Sequence, residues 1–181
     1  MVAFDATILL PLLSPNVPAP NDPSTGKQVE SYKERIDFLV QELEKNRTKI
    51  IVPTPALSEI LVHADKAGPE YLNRIKQSSA FKIEPFDDRA AVEVALMTRE
   101  ALRLGDKRSG VKDTWAKVKF DRQIVAIAKV NGASVIYSDD DGVRAFAKLA
   151  GMTAISISEL PLPTRLAQGE LEFAQKTEKD S

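Results

Sequence analysis

The sequence predicts an α/β sandwich with a mostly parallel central sheet. Three observations carry that expectation: short apolar runs of strand length recur along the chain, segments of helical periodicity separate them, and Gly, Pro and Asn punctuate the joints. At 181 residues the chain is most economically one domain with one core. One site is therefore sought.

Residues 2 to 4, VAF, read as a buried strand that hands over to a helix or turn at Asp5 and Thr7, which places Asp5 at the strand's carboxyl end. Residues 14 to 28 contain four of the 11 prolines, so they read as a loop or insertion, because proline removes a backbone donor and disfavours helix in the residue before it. From about 29 to 46, Ile36, Leu39, Val40 and Leu43 recur at helical spacing. A strand near 50 to 52 then leads into a helix from about Thr54, with Pro55 suited to the first turn and Glu59 about one turn in.

A third strand is expected within 81 to 86, followed by a helix from Asp87 or Asp88 to about Leu104, ended by Gly105. Residues 105 to 119 are polar and Gly-interrupted, a loop that turns helical towards its end. The run FDRQIVAIAKVNGA carries Ile124, Ile127 and Ala128 on one helical face and stops at Asn131 and Gly132. SVIY is a strand, DDGVRAFAKLAG a helix and TAISI the last strand. The expected domain is 1–158, and 159–181 is a polar tail whose ELEFAQKTEKDS is at best a marginal helix.

Composition narrows the chemistry. With no cysteine and one histidine, disulfides, thiolate zinc sites, cysteine nucleophiles and most histidine metal sites are excluded, so any metal must be held by oxygen. No apolar run approaches the roughly 20 residues of a membrane span, and the N-terminus lacks the basic start and cleavage site of a signal peptide, so a cytoplasmic location without membrane contact is the default expectation. The net charge of -1 is no global signature of nucleic-acid binding. Locally, residues 99 to 122 carry eight basic against four acidic side chains. Arg108, Lys112, Lys119 and Arg122 are the candidates there for RNA phosphates, and Trp115 for stacking a base. The alternative is a solvated basic loop anchored to the core by its tryptophan.

Sites in open α/β sheets form beyond the carboxyl ends of the strands, where Asp5 and Asp139 both fall. Asp121 lies near the start of the helix that feeds the strand before Asp139, and Glu59 lies early in the helix after the second strand. Four carboxylates from remote parts of the chain would then share one rim. Two like charges about 4 Å apart repel by roughly 4 kcal/mol at an effective dielectric near 20. Either a carboxylate is protonated or a cation is present. Oxygen-only clusters suit Mg2+ or Mn2+, which lower the pKa of a bound water and stabilise charge growing on a phosphodiester.

The opening VAFDAT, the helix TPALSEIL with its glutamate, and FDRQIVAIAKVNGASVIYSDDDGVRAF together resemble the PIN-domain ribonucleases, especially VapC-type toxins, over about residues 1 to 158. The last block is the most specific. The resemblance implies a PIN-like three-layer α/β/α sandwich and a Mg2+- or Mn2+-dependent endoribonuclease with water as nucleophile. Its acidic quartet would be Asp5, Glu59, Asp121 and Asp139, with Asp5 and Asp121 in direct metal contact and Thr7 supporting the first. Family members often read Thr-x-Asp before the last helix, whereas Tyr137, Ser138 and Asp139 occupy that stretch here and Asp140 and Asp141 follow. The fourth acid is thus open by one or two positions, with Asp139 preferred, Asp141 in reserve and Ser138 supporting. The toxin resemblance further implies an antitoxin partner and a homodimer.

Each acid also has an ordinary explanation. Asp139 or Asp140 can cap the helix that follows, Asp121 can be a solvated or capping residue, and Glu59 and His63 can be solvated helix residues. Two rival functions stand beside the nuclease: a non-catalytic PIN-like module that binds RNA or protein, and phosphatase chemistry of the haloacid dehalogenase type. The second lacks its general acid, because Thr7 stands where that family's Asp-x-Asp opening places an aspartate.

Overall fold

The structure, a computed structural model, describes residues 1–14, 16–22 and 25–163. Its strands are β1 (Val2–Phe4), β2 (Ile50–Pro53), β3 (Phe81–Glu84), β4 (Val135–Tyr137) and β5 (Thr153–Ile155). They form one parallel sheet in the order β3-β2-β1-β4-β5. Ala3, Phe4, Ile50, Ile51, Val52 and Ile136 are fully buried, as expected where helices cover both faces of a parallel sheet. The expected three-layer α/β/α architecture is therefore the one formed.

The chain builds outward from β1 to β3, then returns to lay β4 on the other side of β1, pairing Val2 with Val135 and Phe4 with Tyr137. The strand order reverses there. Crossovers leaving β1 and β4 in opposite directions open a crevice at their carboxyl ends, and that is where ligands bind in open α/β sheets.

The helices are α1 (Ala6–Leu13), α2 (Tyr32–Lys45), α3 (Thr54–Ala64), α4 (Gly68–Gln77), α5 (Asp88–Arg103), α6 (Trp115–Val130) and α7 (Asp141–Leu149). Pro55 starts α3 as expected, and Asp87 caps α5 by accepting from the Ala90 N–H at 3.0 Å. Helix α6 begins five residues before the FDRQ motif, because the Thr114 hydroxyl accepts from the Lys117 N–H at 3.3 Å and starts the helix there. It ends at Asn131, with Gly132 at φ 80° turning the chain back into β4.

Helix α4 was not expected. Its segment GPEYLNRIKQ buries only Gly68, Tyr71 and Ile75, too sparse an apolar stripe to stand out from a polar loop. The stretch 14–28 forms no helix where it is described, and Asn21 and Gln28 make an isolated antiparallel bridge. Strand β5 is shorter than TAISI, since a 3-10 turn at Ile157–Glu159 takes over its end. The tail beyond Pro163 lies outside the described residues.

Candidate active site

Strand β1 runs straight into Asp5, which is 2% exposed. Its Oδ2 accepts from the Ser138 hydroxyl at 2.8 Å and from the Thr7 hydroxyl at 3.2 Å. Each hydroxyl also receives a backbone N–H from the turn after β4: Asp140 donates to Ser138 Oγ at 3.0 Å and Asp139 to Thr7 Oγ1 at 2.9 Å. Two hydroxyls thus stitch that turn to the end of β1. Burial pushes the Asp5 carboxyl up to about 6; the Ser138 hydrogen bond opposes the rise, and the charges of Asp140 and Glu59 add to it.

Helix α6 delivers Asp121, 3% exposed, and one turn earlier Lys117. The Lys117 ammonium lies 3.0 and 3.2 Å from the two Asp121 carboxylate oxygens, 2.7 Å from Asp140 Oδ2 and 3.7 Å from Asp113 Oδ2. Asp121 is raised to about 6 by burial, against the Lys117 hydrogen bond, with the charges of Asp140 and Asp5 contributing. Burial alone would lower the Lys117 ammonium, but its bonds to Asp140 and Asp121 hold it above the usual lysine value. Glu59, exposed on α3, faces the same cleft of about 510 Å3, whose apolar wall includes Val62, Phe120 and Ile124.

Of the acid triplet, the sequence prefers Asp139 for the site, and the structure does not bring it there. Asp139 turns away from the cleft, and its Oδ1 accepts from the Ile157 N–H at 2.7 Å beyond β5. Burial raises its carboxyl, and the Ile157 bond partly offsets this. Asp140 lines the cleft instead, capping α7 through Val143 N at 3.0 Å with one oxygen and meeting Lys117 with the other. The geometry of extended chain decides the swap, since successive side chains there point to opposite sides and a cap must face its helix. Asp141, exposed, pairs with Arg144 on its own helix. The register is therefore Ser138-x-Asp140, a spacing that was legible with serine read in place of threonine.

Asp5, Glu59, Asp121 and Asp140, with the Thr7 and Ser138 hydroxyls, form an all-oxygen donor set of the kind hard divalent ions take. Gly142, in the first turn of α7, keeps this space open: a Cβ there would lie 2.5 Å from Asp121 Oδ2 and 3.1 Å from Asp140 Oδ1. Among the described residues, no three carboxylates are gathered closely enough to hold one ion. The donors fit Mg2+ or Mn2+ in chemistry, while Lys117 supplies the positive charge between Asp121 and Asp140.

No family model and no curated protein matches the chain. Solved structures do. A chain of VapBC2 from Rickettsia felis, bound to a DNA fragment from its promoter, is similar with a TM-score of 0.56 and 13% identity, over 86% of this chain and 98% of that one. DNA-bound VapBC from Salmonella typhimurium gives 0.52 and 17%, over 87% and 99%. VapC20 of Mycobacterium tuberculosis, a toxin that cleaves the sarcin-ricin loop, gives 0.51 and 12%, over 89% and 100%. The fold is that of a VapC-type PIN domain.

On this PIN fold the basic segment divides. Arg108, Lys112 and Lys119 are exposed, as an RNA-facing role needs. Arg122 is 1% exposed, so it is corrected from a surface contact to a core residue. Its guanidinium sits 4.9 Å from the Phe146 ring centroid and 5.7 Å from that of Trp115, and bonds Thr98, Ser109 and the Lys107 carbonyl. Arg122 follows the inward-facing Asp121 on a helix whose flanks are both covered, which a count of charges does not reveal. Trp115 is half-buried against the core with Lys107 5.2 Å from its ring, which favours its role as an anchor. His63 is exposed. Lys117 is not among the site residues the sequence predicts, although its i, i+4 spacing from Asp121 is a readable signal.

Proposed function

We propose that the chain is a metal-dependent endoribonuclease acting as the toxin of a toxin-antitoxin pair. One observation carries the reading: Asp5, Glu59, Asp121 and Asp140, from four separate elements, line one cleft at the carboxyl edge of a VapC-type sheet. The likeness to VapBC complexes supports an antitoxin partner, and the likeness to a sarcin-ricin loop cleaving toxin supports RNA as substrate.

A bound Mg2+ or Mn2+ would supply an activated water and balance charge on the scissile phosphodiester. Two of the carboxylates Asp5, Asp121 and Asp140 would hold it directly, with water filling its remaining positions, since among the described residues no three stand close enough to share one ion. Asp5 is pinned by two hydroxyls and cannot rotate freely, so it fixes the floor of the cleft. Burial raises Asp5 and Asp121 to about 6 in the metal-free site, and a bound cation would favour their ionised, ligating form. Glu59, exposed on the rim, is the carboxylate with room to orient water. Val62, 79% exposed, and Phe120 offer apolar surface to a base beside the phosphate, while Arg108, Lys112 and Lys119 take flanking phosphates.

The test is RNA cleavage by the purified protein with Mg2+ or Mn2+ and with chelator. Metal-dependent cleavage should vanish in Asp5→Asn and Asp121→Asn with unchanged circular dichroism. Activity surviving in the double variant overturns the reading. The Lys117 contacts favour a second reading, a PIN-like module that binds without cutting. Calorimetry showing no heat of binding at millimolar Mn2+ would select it.

A further inference from the structure

We infer that Lys117 is a built-in counter-ion that occupies the place of the divalent cation and must swing out before the ion can enter, so that it sets the ion concentration at which the site loads. The inference rests on the metal-dependent reading above. Its ground is the way the ammonium engages the acids. Both carboxylate oxygens of Asp121 face Nζ, at 3.0 and 3.2 Å, and Asp140 Oδ2 meets it at 2.7 Å. Asp113 adds a fourth oxygen at 3.7 Å.

A divalent ion coordinates carboxylate oxygens at about 2.0 to 2.1 Å and needs their lone pairs. An ion that bridges Asp121 and Asp140 would fall among the same oxygens that surround Nζ, so it must displace at least one of the Lys117 bonds, and its charge would repel an ammonium left within about 3 Å. An ion between Asp121 and Asp140 and the observed position of Lys117 Nζ are therefore incompatible. Only the state in which Lys117 has moved away binds metal, so apparent affinity is reduced by the fraction of time that it is away.

Two further features fit this role. Lys117 lies in the first turn of α6, where no acidic residue is present and a lysine opposes the helix dipole, so the carboxylates and not local helix preference hold it there. Its side chain is 39% exposed, so it can leave towards solvent without unpacking the core.

The experiment titrates the full chain and its Lys117→Met variant, which keeps the apolar stem, with Mn2+ alone, by calorimetry and by the loss of the free Mn2+ electron-resonance signal. Lys117→Met should bind about tenfold or more tightly. Equal or weaker affinity overturns the inference, as does a second Mn2+ appearing in the variant at unchanged first affinity, since Lys117 would then stand beside the ion. Binding to neither protein overturns this inference and the metal-dependent reading together. Should Lys117→Met fail to fold, the wild-type protein decides. Acylation of its lysines, read by mass spectrometry, should label Lys117 slowly in chelator and faster with Mn2+. Equal labelling in both overturns the inference.

Discussion

Ser138 Oγ donates to Asp5 Oδ2 at 2.8 Å and accepts the Asp140 N–H at 3.0 Å, joining the ends of two neighbouring strands that lie more than 130 residues apart in sequence. Ser138 is fully buried. Removing its hydroxyl leaves a buried carboxylate and a backbone N–H each short of a partner. Ser138→Ala should lower stability by about 2 kcal/mol in urea denaturation, more than a surface serine does. Ser138→Thr, which retains the hydroxyl, should lose less.

The raised carboxyl of Asp5 has a signed consequence for stability. A folded-state value of about 6 against 3.8 means that the neutral form is favoured in the fold. Its contribution is fully present below pH 3.8 and is lost as pH rises through 6, a penalty of about 3 kcal/mol for the ionised group before relaxation. In chelator, Asp5→Asn should therefore be more stable than wild type above pH 6, and the gap should close by pH 4. Denaturation midpoints of both proteins between pH 4 and 8 check this. A constant gap would show that Asp5 does not titrate there.

How far the sequence carried these conclusions depended on the kind of signal. Strands β1, β2 and β4 were legible because parallel strands buried on both faces are short continuous apolar runs, as in Ile50–Pro53. Asp5 was legible for the same reason, as a charge at the end of such a run. Helix α4 and the inward turn of Arg122 were not legible, since both depend on what lies across from them in space. The acid triplet fell in between. Position after an apolar strand marked the triplet as a candidate for the site, but only the capping geometry of α7 separates Asp140 from Asp139.

That separation can be measured. Asparagine caps helices as well as aspartate, so Asp140→Asn should keep the Val143 bond and the fold while losing the charge in the cleft. RNA cleavage should fall by about a hundredfold or more, because a carboxylate that would hold the charge-balancing cation is lost. Asp139→Asn should leave cleavage within a few-fold of wild type, because its side chain serves Ile157 N. The reverse ranking would restore Asp139 as the fourth acid.

Gly142 offers a separation of stability from function. In the first turn of α7, Gly→Ala ordinarily stabilises a helix by roughly 1 kcal/mol. Here the new Cβ would lie 2.5 Å from Asp121 Oδ2 and 3.4 Å from Asp113 Oδ2, closer to the first than any methyl and carboxylate can stand. The Asp121 carboxylate must rotate or α7 must shift, and either motion breaks the alignment of Asp121 with Asp140. Gly142→Ala should therefore keep a melting temperature within a few degrees of wild type, as the helix gain offsets the local crowding, while Mn2+ affinity and RNA cleavage fall together. If both survive intact, Asp121 and Asp140 do not need their observed alignment, and the cleft at Gly142 is not where the ion sits.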